Sequence, residues 1–234
     1  MKTYIQDQVV SFCKTREAFG GLSNMAAGYL ITLYGIRCKT SEHLYQALKF
    51  PNHPEIQAEI LAKPSPIAAK MVAKRCRHLI RPDWEEIKLP VMAYCLRAKL
   101  QCNFQRFGSL LLSTGDADIV EISSKNDTFW GCIPQDDLLV GHNHLGIQLT
   151  NLCDELVNDE DGIHISLRDE LVNDEDGIHI AMLAPPDGVE LRLMGRVLGP
   201  LEFYIPGVKE IEDPLAVIRA RRVKKQLNST NGGF

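Results

Sequence analysis

The stretch that decides the fold is TSEHLYQALKF, residues 40–50. Its apolar side chains include Leu44 and Leu48, one helical turn apart, so they lie on the same face of a helix. Thr40 or Ser41 can cap that helix, because a hydroxyl accepts a hydrogen bond from a free backbone N–H of the first turn. The pattern therefore predicts a short helix that is anchored in the core along one face.

The other face of this helix carries three polar side chains. Glu42, Gln46 and Lys49 follow one another at spacings of four and three residues, so a carboxylate, an amide and an amine share one side. The segment alone leaves two interpretations open. The face is either solvated, or it holds a polar ligand between the carboxylate and the ammonium group.

Four further motifs occur in a fixed order around this helix. FGGLSNM (19–25) precedes it, DWE (83–85) opens a later helix, and DTFWG (127–131) and GHNHLG (141–146) follow. This order resembles the NADAR family (NAD- and ADP-ribose-associated proteins). That family has a Ser-Asn near the start, Ser-Glu-His followed by Gln and Lys, then Trp-Gly and a late Asn-x-Leu-Gly. The resemblance covers roughly residues 10–157.

The resemblance implies a helix-dominated α+β domain with a few short strands. Helical periodicity runs over residues 41–112 and 145–156, in agreement with that expectation. Short strands are expected at residues 9–12, 29–34, 118–123, 189–193 and 201–205. We expect residues 1–157 to form the catalytic domain. Residues 158–234 are expected to add an appendage with a duplicated acidic segment, short strands and a basic C-terminal helix opened by Asp213.

Local signals mark individual helix boundaries. Ser65 precedes Pro66, which is typical of a capping residue followed by a proline in the first helical turn. Asp83 is expected to cap the next helix. Pro90 lies inside that helix, where the missing N–H removes a hydrogen bond and predicts a kink.

The resemblance also implies an activity, that of an N-glycosidase acting on an ADP-ribose-like or ribose-phosphate N-glycoside. Loss of a base from C1 of ribose builds positive charge on the sugar, which a carboxylate of Glu42 or Asp127 can stabilise. Lys49 can protonate the leaving base or attack the opened sugar aldehyde. The substrate-binding residues that the resemblance implies are Gly21, Ser23, Asn24, His43, Gln46, Trp130, Gly131 and Asn143.

For two sets of these residues, the side-chain chemistry itself also suggests a binding role. The loop of Gly21, Ser23 and Asn24 offers N–H groups and side chains to phosphate or ribose oxygens. Trp130 offers an aromatic face for a base, although a tryptophan near a turn is as readily explained as a core residue. Both interpretations of Trp130 stay open at this point.

Three functions compete within the resemblance. The first is removal of ADP-ribose from guanine in nucleic acid or nucleotides, which a basic C-terminal helix and the lack of a visible second biosynthetic domain favour. The second is cleavage of a phosphoribosyl pyrimidine intermediate of riboflavin synthesis. The third is a non-catalytic ADP-ribose reader, which would need no Lys49.

Composition excludes several other classes. The 234 residues are 45% hydrophobic and 24% charged, which is ordinary for a globular protein. Seven scattered cysteines without a Cys-x-x-Cys pair favour a reducing compartment, so we expect a cytoplasmic or nuclear protein that is neither secreted nor membrane-bound.

No zinc-ligand spacing, Walker motif or Gly-x-Gly-x-x-Gly motif is present, which predicts no metal and no redox cofactor. His142-Asn143-His144 spells HNH, but no nuclease setting surrounds it.

An identical repeat distorts the charge balance. Residues 154–165 recur without change at 169–180, so we interpret the region as a recent duplication that inserts an acidic loop. The repeat lacks the ligand spacing of a calcium-binding EF-hand. Residues 154–180 contain ten acids and one base, which leaves 25 bases and 20 acids elsewhere out of totals of 26 and 30. This mildly basic remainder suits a ligand that carries phosphate.

Overall fold

The structure, a computed structural model, describes residues 1–124, 126–157 and 177–206. Most of the duplicated acidic segment and the predicted basic helix near the C-terminus lie outside these residues. Within the described ranges, no helix has the length and apolar character needed to cross a membrane.

Helices and short strands follow one another in separate runs along the described chain, which confirms the α+β class. The helices are α1 Ser41–Ala47, α2 Pro54–Ala62, α3 Pro66–Arg75, α4 Trp84–Cys102, α5 Ser109–Leu112 and α6 His144–Val157. The strands are β1 Lys2–Ile5, β2 Val10–Phe12, β3 Ile31–Leu33, β4 Ile36–Cys38, β5 Ile119–Glu121, β6 Cys132–Gln135, β7 Leu138–Gly141, β8 Gly177–Leu183, β9 Arg192–Leu193, β10 Arg196–Val197 and β11 Leu201–Pro206.

The chain divides into two compact units. The first, here the helical unit, comprises Lys14–Phe107 and Met182–Leu201. The second, here the sheet unit, comprises Met1–Cys13, Gly108–Ala181 and Glu202–Phe234. The predicted division at residue 157 stays a prediction, because much of the chain beyond it is outside the described ranges.

The helical unit is built around α1. This helix packs against α2, α3 and α4, and Leu44 and Leu48 are buried as its spacing predicts. Of the two candidate caps, the structure uses Thr40, whose hydroxyl accepts a hydrogen bond from the N–H of His43 at 3.3 Å. Ser41 instead begins the helix itself.

Two other helix starts test the local signals. The Ser65 hydroxyl accepts from the N–H of Ala68 at 3.2 Å, so the predicted cap of α3 is confirmed. The predicted side-chain cap by Asp83 is wrong. Its carboxylate accepts two hydrogen bonds from the guanidinium of Arg81, at 2.6 and 2.8 Å, because a bidentate ionic pair is stronger than a bond to a backbone N–H. α4 continues through Pro90 to its end.

Some predicted elements are shorter in the structure. The strand expected over 29–34 is β3, and it ends where Tyr34 and Gly35 adopt positive φ angles of 51° and 81° and turn the chain into β4. The helix expected over residues 104–112 starts as a π-helical turn, Phe104–Gly108, before α5. The strand expected over 189–193 is reduced to β9, which pairs with β10.

The sheet unit contains α6 and two small sheets. β1, β7 and β6 form an antiparallel sheet in that order, while β2 and β5 pair in parallel. α6 lies on β5, and Gly146 permits this close approach, because a Cβ there would collide with the carbonyl oxygen of Ile119. Val120 and Leu139 are fully buried in one apolar cluster, to which Tyr4 and Cys132 also belong.

Candidate active site

The polar face of α1 is buried. Glu42 is 5% exposed and Gln46 is 2% exposed, so the solvated-face interpretation is wrong. The side-chain N–H of Gln46 donates to Oε1 of Glu42 at 2.8 Å. The Oε1 atom of Gln46 has no hydrogen-bond partner among the described residues. Buried acceptors are nearly always paired, so this oxygen is available to a donor from a bound ligand.

Lys49 lies two residues beyond the end of α1 and is half-buried. Its Nζ is 5.3 Å from the centroid of the Tyr45 ring and 5.2 Å from that of Trp84. The two rings meet edge to face with centroids 4.9 Å apart. Two aromatic side chains therefore form walls around the Lys49 amine.

This setting changes the acidity of Lys49. Burial lowers the pKa of its ammonium group to about 8, because a low-polarity environment disfavours the charged form. Glu42 of α1 and Glu85 of α4 oppose this shift, and Lys70 of α3 adds to it. The group is therefore poised to exchange a proton near neutral pH, which is the property of a general acid or of an activated amine.

Sequence reasoning did not select Trp84 as a site residue. It used the Asp-Trp-Glu segment only to mark the start of a helix. The one available signal was the position of Trp84 within a motif that matched the family.

The loop of the Ser-Asn motif is fixed to the start of α1. The N–H of Glu42 donates to the carbonyl oxygen of Asn24 at 3.1 Å, and the Ser41 hydroxyl donates to the same residue at 3.3 Å. The Asn24 amide donates to the sulfur of Met92 at 2.8 Å. These bonds place Asn24 next to Glu42.

A second lysine donates hydrogen bonds to the same loop. Lys99 of α4 is fully buried, and its Nζ donates to the carbonyl oxygens of Gly21 at 2.5 Å and Ser23 at 3.0 Å. Burial lowers its pKa well below the usual range. The rings of Tyr29 and Phe107 lie 4.5 and 4.2 Å from Nζ. Sequence reasoning missed this residue, because a lysine in a helix is normally expected to reach solvent.

His43 braces α1 instead of facing solvent. Its Nε2 is 3.2 Å from the carbonyl oxygen of Lys63, and because a carbonyl only accepts, this nitrogen carries the proton. Nδ1 then accepts from the Thr40 hydroxyl at 2.9 Å. Burial lowers the pKa of the ring, which favours this neutral form. Its predicted contact with substrate stays a prediction.

The remaining predicted site residues belong to the sheet unit. Asp127 is exposed, and one carboxylate oxygen accepts from the N–H groups of Phe129 at 3.0 Å and Trp130 at 3.1 Å. Trp130 is half-buried and meets the ring of Phe129 edge to face at 5.1 Å. Asp127 thus shapes the turn that presents Trp130, and the catalytic role predicted for it stays a prediction.

Asn143 is fully buried at the centre of the sheet unit. Its Oδ1 accepts from the N–H of Glu121 at 3.1 Å, and its Nδ2 donates to the carbonyl of Ile119 at 2.8 Å and to the Tyr4 hydroxyl at 3.3 Å. Gly131 lies so close to the backbone of Glu121 that a side chain there would collide with it. The structure gives both residues a packing role, and the predicted contact with substrate stays a prediction.

The structure therefore brings together part of the predicted site. The helical unit holds the candidate residues Gly21, Ser23, Asn24, Glu42, His43, Gln46 and Lys49. The sheet unit holds Asp127, Trp130, Gly131 and Asn143. In the described part of the chain, no three His, Cys, Asp or Glu side chains cluster as metal ligands would.

Comparison with known proteins identifies the family. A model of the NADAR domain matches residues 11–157. The chain is 34% identical over 152 residues to the N-glycosidase YbiA of Escherichia coli strain K12, an alignment that covers 65% of this chain and 91% of that protein. The NMR structure of E. coli YbiA superposes with a TM-score of 0.55 and covers 65% of this chain and 87% of that one.

The chain is also similar to a protein named for riboflavin biosynthesis. The chloroplastic riboflavin biosynthesis protein PYRR of Zea mays is 32% identical over 166 residues, which cover 65% of this chain and 26% of that protein. The chain belongs to the NADAR domain family, as the resemblance predicted. It is an N-glycosidase, a hydrolase that cleaves N-glycosidic bonds.

Proposed function

We propose that this N-glycosidase removes ADP-ribose from guanine bases in nucleic acid or nucleotides. The observation that carries the proposal is the segment of residues 42–49. There a buried carboxylate and a buried amide oxygen with no partner among the described residues lie on α1, and a half-buried amine with a pKa of about 8 follows just beyond the helix. Few structural roles require such a group of polar atoms inside a core, because each costs desolvation energy.

The chemistry assigns a role to each end of this face. The bond between C1 of ribose and the guanine nitrogen breaks, and its electron pair leaves with the base. The Glu42 carboxylate stabilises the positive charge that develops on the sugar. Water attacks C1 and gives its proton to the Glu42 carboxylate. The Lys49 ammonium supplies the proton that the departing guanine needs.

A different role for Lys49 also fits its acidity. With a pKa of about 8, Lys49 is a neutral amine in roughly a tenth of the molecules at pH 7. A neutral amine can attack C1 of the ribose and displace the base, which leaves with the electron pair of the broken bond and gains a proton. Ring opening then gives an imine between Lys49 and C1, and water hydrolyses this imine to release the sugar and the amine. Sodium borohydride reduces an imine to a stable amine, so mass spectrometry of the treated enzyme distinguishes the two roles.

Two features support guanine and ADP-ribose in particular. Guanine presents N–H donors on its base-pairing edge, and Gln46 offers a buried acceptor that has no partner among the described residues. Outside residues 154–180 the chain has 25 bases and 20 acids, which favours a diphosphate by electrostatic attraction.

A phosphoribosyl pyrimidine of riboflavin synthesis is the second candidate. It is favoured by the similarity to proteins named for riboflavin biosynthesis in Zea mays and Vibrio vulnificus. This chain spans only 26% and 35% of those two proteins, respectively. The match to YbiA, by contrast, extends over nearly the whole of that protein.

One experiment separates the candidates. The purified chain is incubated with an ADP-ribosylated guanine oligonucleotide and, in parallel, with the phosphoribosyl pyrimidine, each with and without EDTA. The proposal predicts free ADP-ribose and an unmodified oligonucleotide, at rates that EDTA does not change, with no redox cofactor added. Activity on the pyrimidine alone would favour the second candidate, and loss of activity with EDTA would require a metal.

Lys49→Ala completes this test. The variant should bind ADP-ribose but release none, whereas Lys74→Ala, which removes an exposed lysine of α3, should behave as the parent protein. Full turnover by Lys49→Ala would remove Lys49 from the mechanism.

A further inference from the structure

A hairpin in the C-terminal part of the chain belongs to the helical unit. It comprises residues 189–199, here the hairpin segment, with β9 and β10 joined through Met194 and Gly195 at φ angles of 52° and 78°. Leu191 and Leu193 are fully buried. The hairpin segment lies outside residues 11–157, which the NADAR domain model matches.

One backbone edge of this segment is bonded to the helical unit. The bonded atoms are the carbonyl oxygens of Glu190 and Arg192 and the N–H of Met194. Glu190 and Arg192 are two residues apart before the turn, so their carbonyl groups point to the same side. The N–H of Met194 at the turn is bonded to Gln57, which also binds Arg192. The two side chains that bind this edge are Gln57 and Arg81.

Gln57 joins the hairpin segment to the end of α1. Its side chain is fully buried, and its N–H₂ group donates to the carbonyls of Ala47 at 3.1 Å and Arg192 at 2.8 Å. Its Oε1 accepts from the N–H of Met194 at 2.6 Å. A single buried amide therefore connects Ala47, two residues before Lys49, with two residues of the hairpin.

Arg81 makes a second connection, at Lys49 itself. Its backbone N–H donates to the carbonyl oxygen of Lys49 at 2.9 Å. Its guanidinium donates to the carbonyl oxygen of Glu190 at 2.9 Å and is held in place by Asp83. The short segment that carries the Lys49 amine is thus bonded to the hairpin's partners at both of its ends.

We propose that the hairpin segment positions Lys49 for catalysis, with Gln57 and Arg81 as the positioning residues through which it acts. The segment adds this role from outside the matched domain. The inference rests on the proposed function only in taking Lys49 as a reacting group.

The alternative is that these bonds merely attach the C-terminal part of the chain. Such an attachment already exists elsewhere, because the Tyr34 hydroxyl accepts from the N–H of Gly199 at 2.9 Å and donates to its carbonyl at 3.0 Å. Tyr34 has no such bond to the segment 47–49 in the described structure. Both sites join a side chain to the hairpin by short hydrogen bonds, so Tyr34 provides a matched comparison for Gln57.

The test compares Gln57→Met with Tyr34→Phe in the full chain. Each removes hydrogen bonds to the hairpin segment while keeping the bulk of the side chain. The first readout needs no substrate: acetic anhydride is added over a pH series, and acetylation of Lys49 relative to exposed Lys74 is measured by mass spectrometry. The second readout is kcat and KM on the ADP-ribosylated guanine oligonucleotide.

Loosening the segment should admit water to the Lys49 amine. The titration midpoint of Lys49 in Gln57→Met should therefore rise from about 8 towards the ordinary value of 10.5, by roughly half a pH unit or more. Glu42, Glu85 and Lys70, the charged groups that face the amine, are unchanged in this variant. We expect kcat to fall about tenfold or more, since displacement of a reacting group by about 1 Å has effects of that size. Tyr34→Phe should lower the melting temperature but leave both readouts unchanged.

The outcomes separate this inference from the proposed function. A shifted midpoint in Gln57→Met alone supports positioning even if neither substrate is cleaved by the parent protein, in which case the proposed function fails. An unshifted midpoint with normal kcat overturns the inference. Equal effects from Tyr34→Phe overturn it as well, because they would reflect general loosening. If Gln57→Met does not fold, Arg81→Met is compared in the same way.

Discussion

Replacement of Lys49 by methionine is expected to stabilise the fold at neutral pH while it removes activity. Methionine keeps an unbranched apolar stem that can pack against Tyr45 and Trp84, and it carries no charge. The parent protein must hold a partly desolvated ammonium group at this position. Removing that group should therefore reveal the energetic cost of the reactive amine.

The size of the effect follows from the acidity of Lys49. Its pKa falls from 10.5 to about 8 on folding, and each unit corresponds to about 1.4 kcal/mol. The shift sets an upper limit of roughly 3.5 kcal/mol, which partial exposure of the side chain reduces to about 2 kcal/mol. In a chain of this length the change corresponds to a rise of about 4–8 °C in the melting temperature.

The dependence on pH has a definite sign. Because the pKa is lower in the folded state, the unfolded chain binds more protons between pH 8 and 10.5, and the parent protein gains stability as the pH rises through that window. The advantage of Lys49→Met is therefore largest below pH 8 and disappears above 10.5. Chemical denaturation of both proteins at a series of pH values measures this difference.

A matched control uses Lys74→Met, which replaces an exposed lysine and should change stability little at any pH. The reasoning would be refuted if Lys49→Met were no more stable than the parent protein at pH 7. A stability difference that stayed constant between pH 7 and pH 10.5 would also contradict it, because the effect would then not come from the charge.

Three further predictions concern chemistry and fold. If the Lys49 ammonium is the general acid, kcat/KM should fall about tenfold per pH unit above pH 8; a rate that rises there would favour the amine nucleophile. Asn143→Ala should lower the free energy of unfolding by about 2–4 kcal/mol in urea titrations, because buried backbone groups of Glu121 and Ile119 lose their partners. An unchanged urea midpoint would contradict the packing role of Asn143. Thr40→Val should cost about 1 kcal/mol in thermal unfolding, since α1 loses its cap, and a neutral substitution would show that the cap contributes nothing.

Features of the fold that depend on residues close together in the chain, such as helix caps, could be predicted from the sequence. The start of α1 and the cap at Ser65 depend on residues that are three apart, so the chain itself displays them. Asp83 was wrongly predicted as a side-chain cap, because its pattern also allows an ion pair, and Arg81 competes successfully for the carboxylate. Patterns of this kind reveal which bonds are possible but not which bond is strongest.

The candidate site shows a second boundary of sequence reasoning. Helical spacing placed Glu42 and Gln46 on one face correctly, but it could not reveal that α1 is covered on that side as well. The burial of Lys99 was equally hidden, because it depends on carbonyl groups of Gly21 and Ser23 nearly eighty residues earlier. Contacts between distant parts of the chain carry no periodic signal.

The sequences of the helices also do not show that the hairpin segment is bonded to residues near Lys49. Gln57 bonds to Arg192, 135 residues further along the chain, and nothing in the α2 sequence marks Gln57 as more than a polar helix residue. The hairpin segment itself was predicted only as a strand. Its connection to the end of α1 became visible through the hydrogen bonds of a single buried amide.

The most direct test of the central claim is single-turnover cleavage of an ADP-ribosylated guanine oligonucleotide by the parent protein, Glu42→Gln and Lys49→Met. The account predicts that both variants still bind ADP-ribose but release it at least about a hundredfold more slowly, because each lacks a group that acts in the transition state. Glu86→Gln, which changes an exposed carboxylate of α4, should keep the parent rate. Parent-like release of ADP-ribose by Glu42→Gln and Lys49→Met would contradict the account.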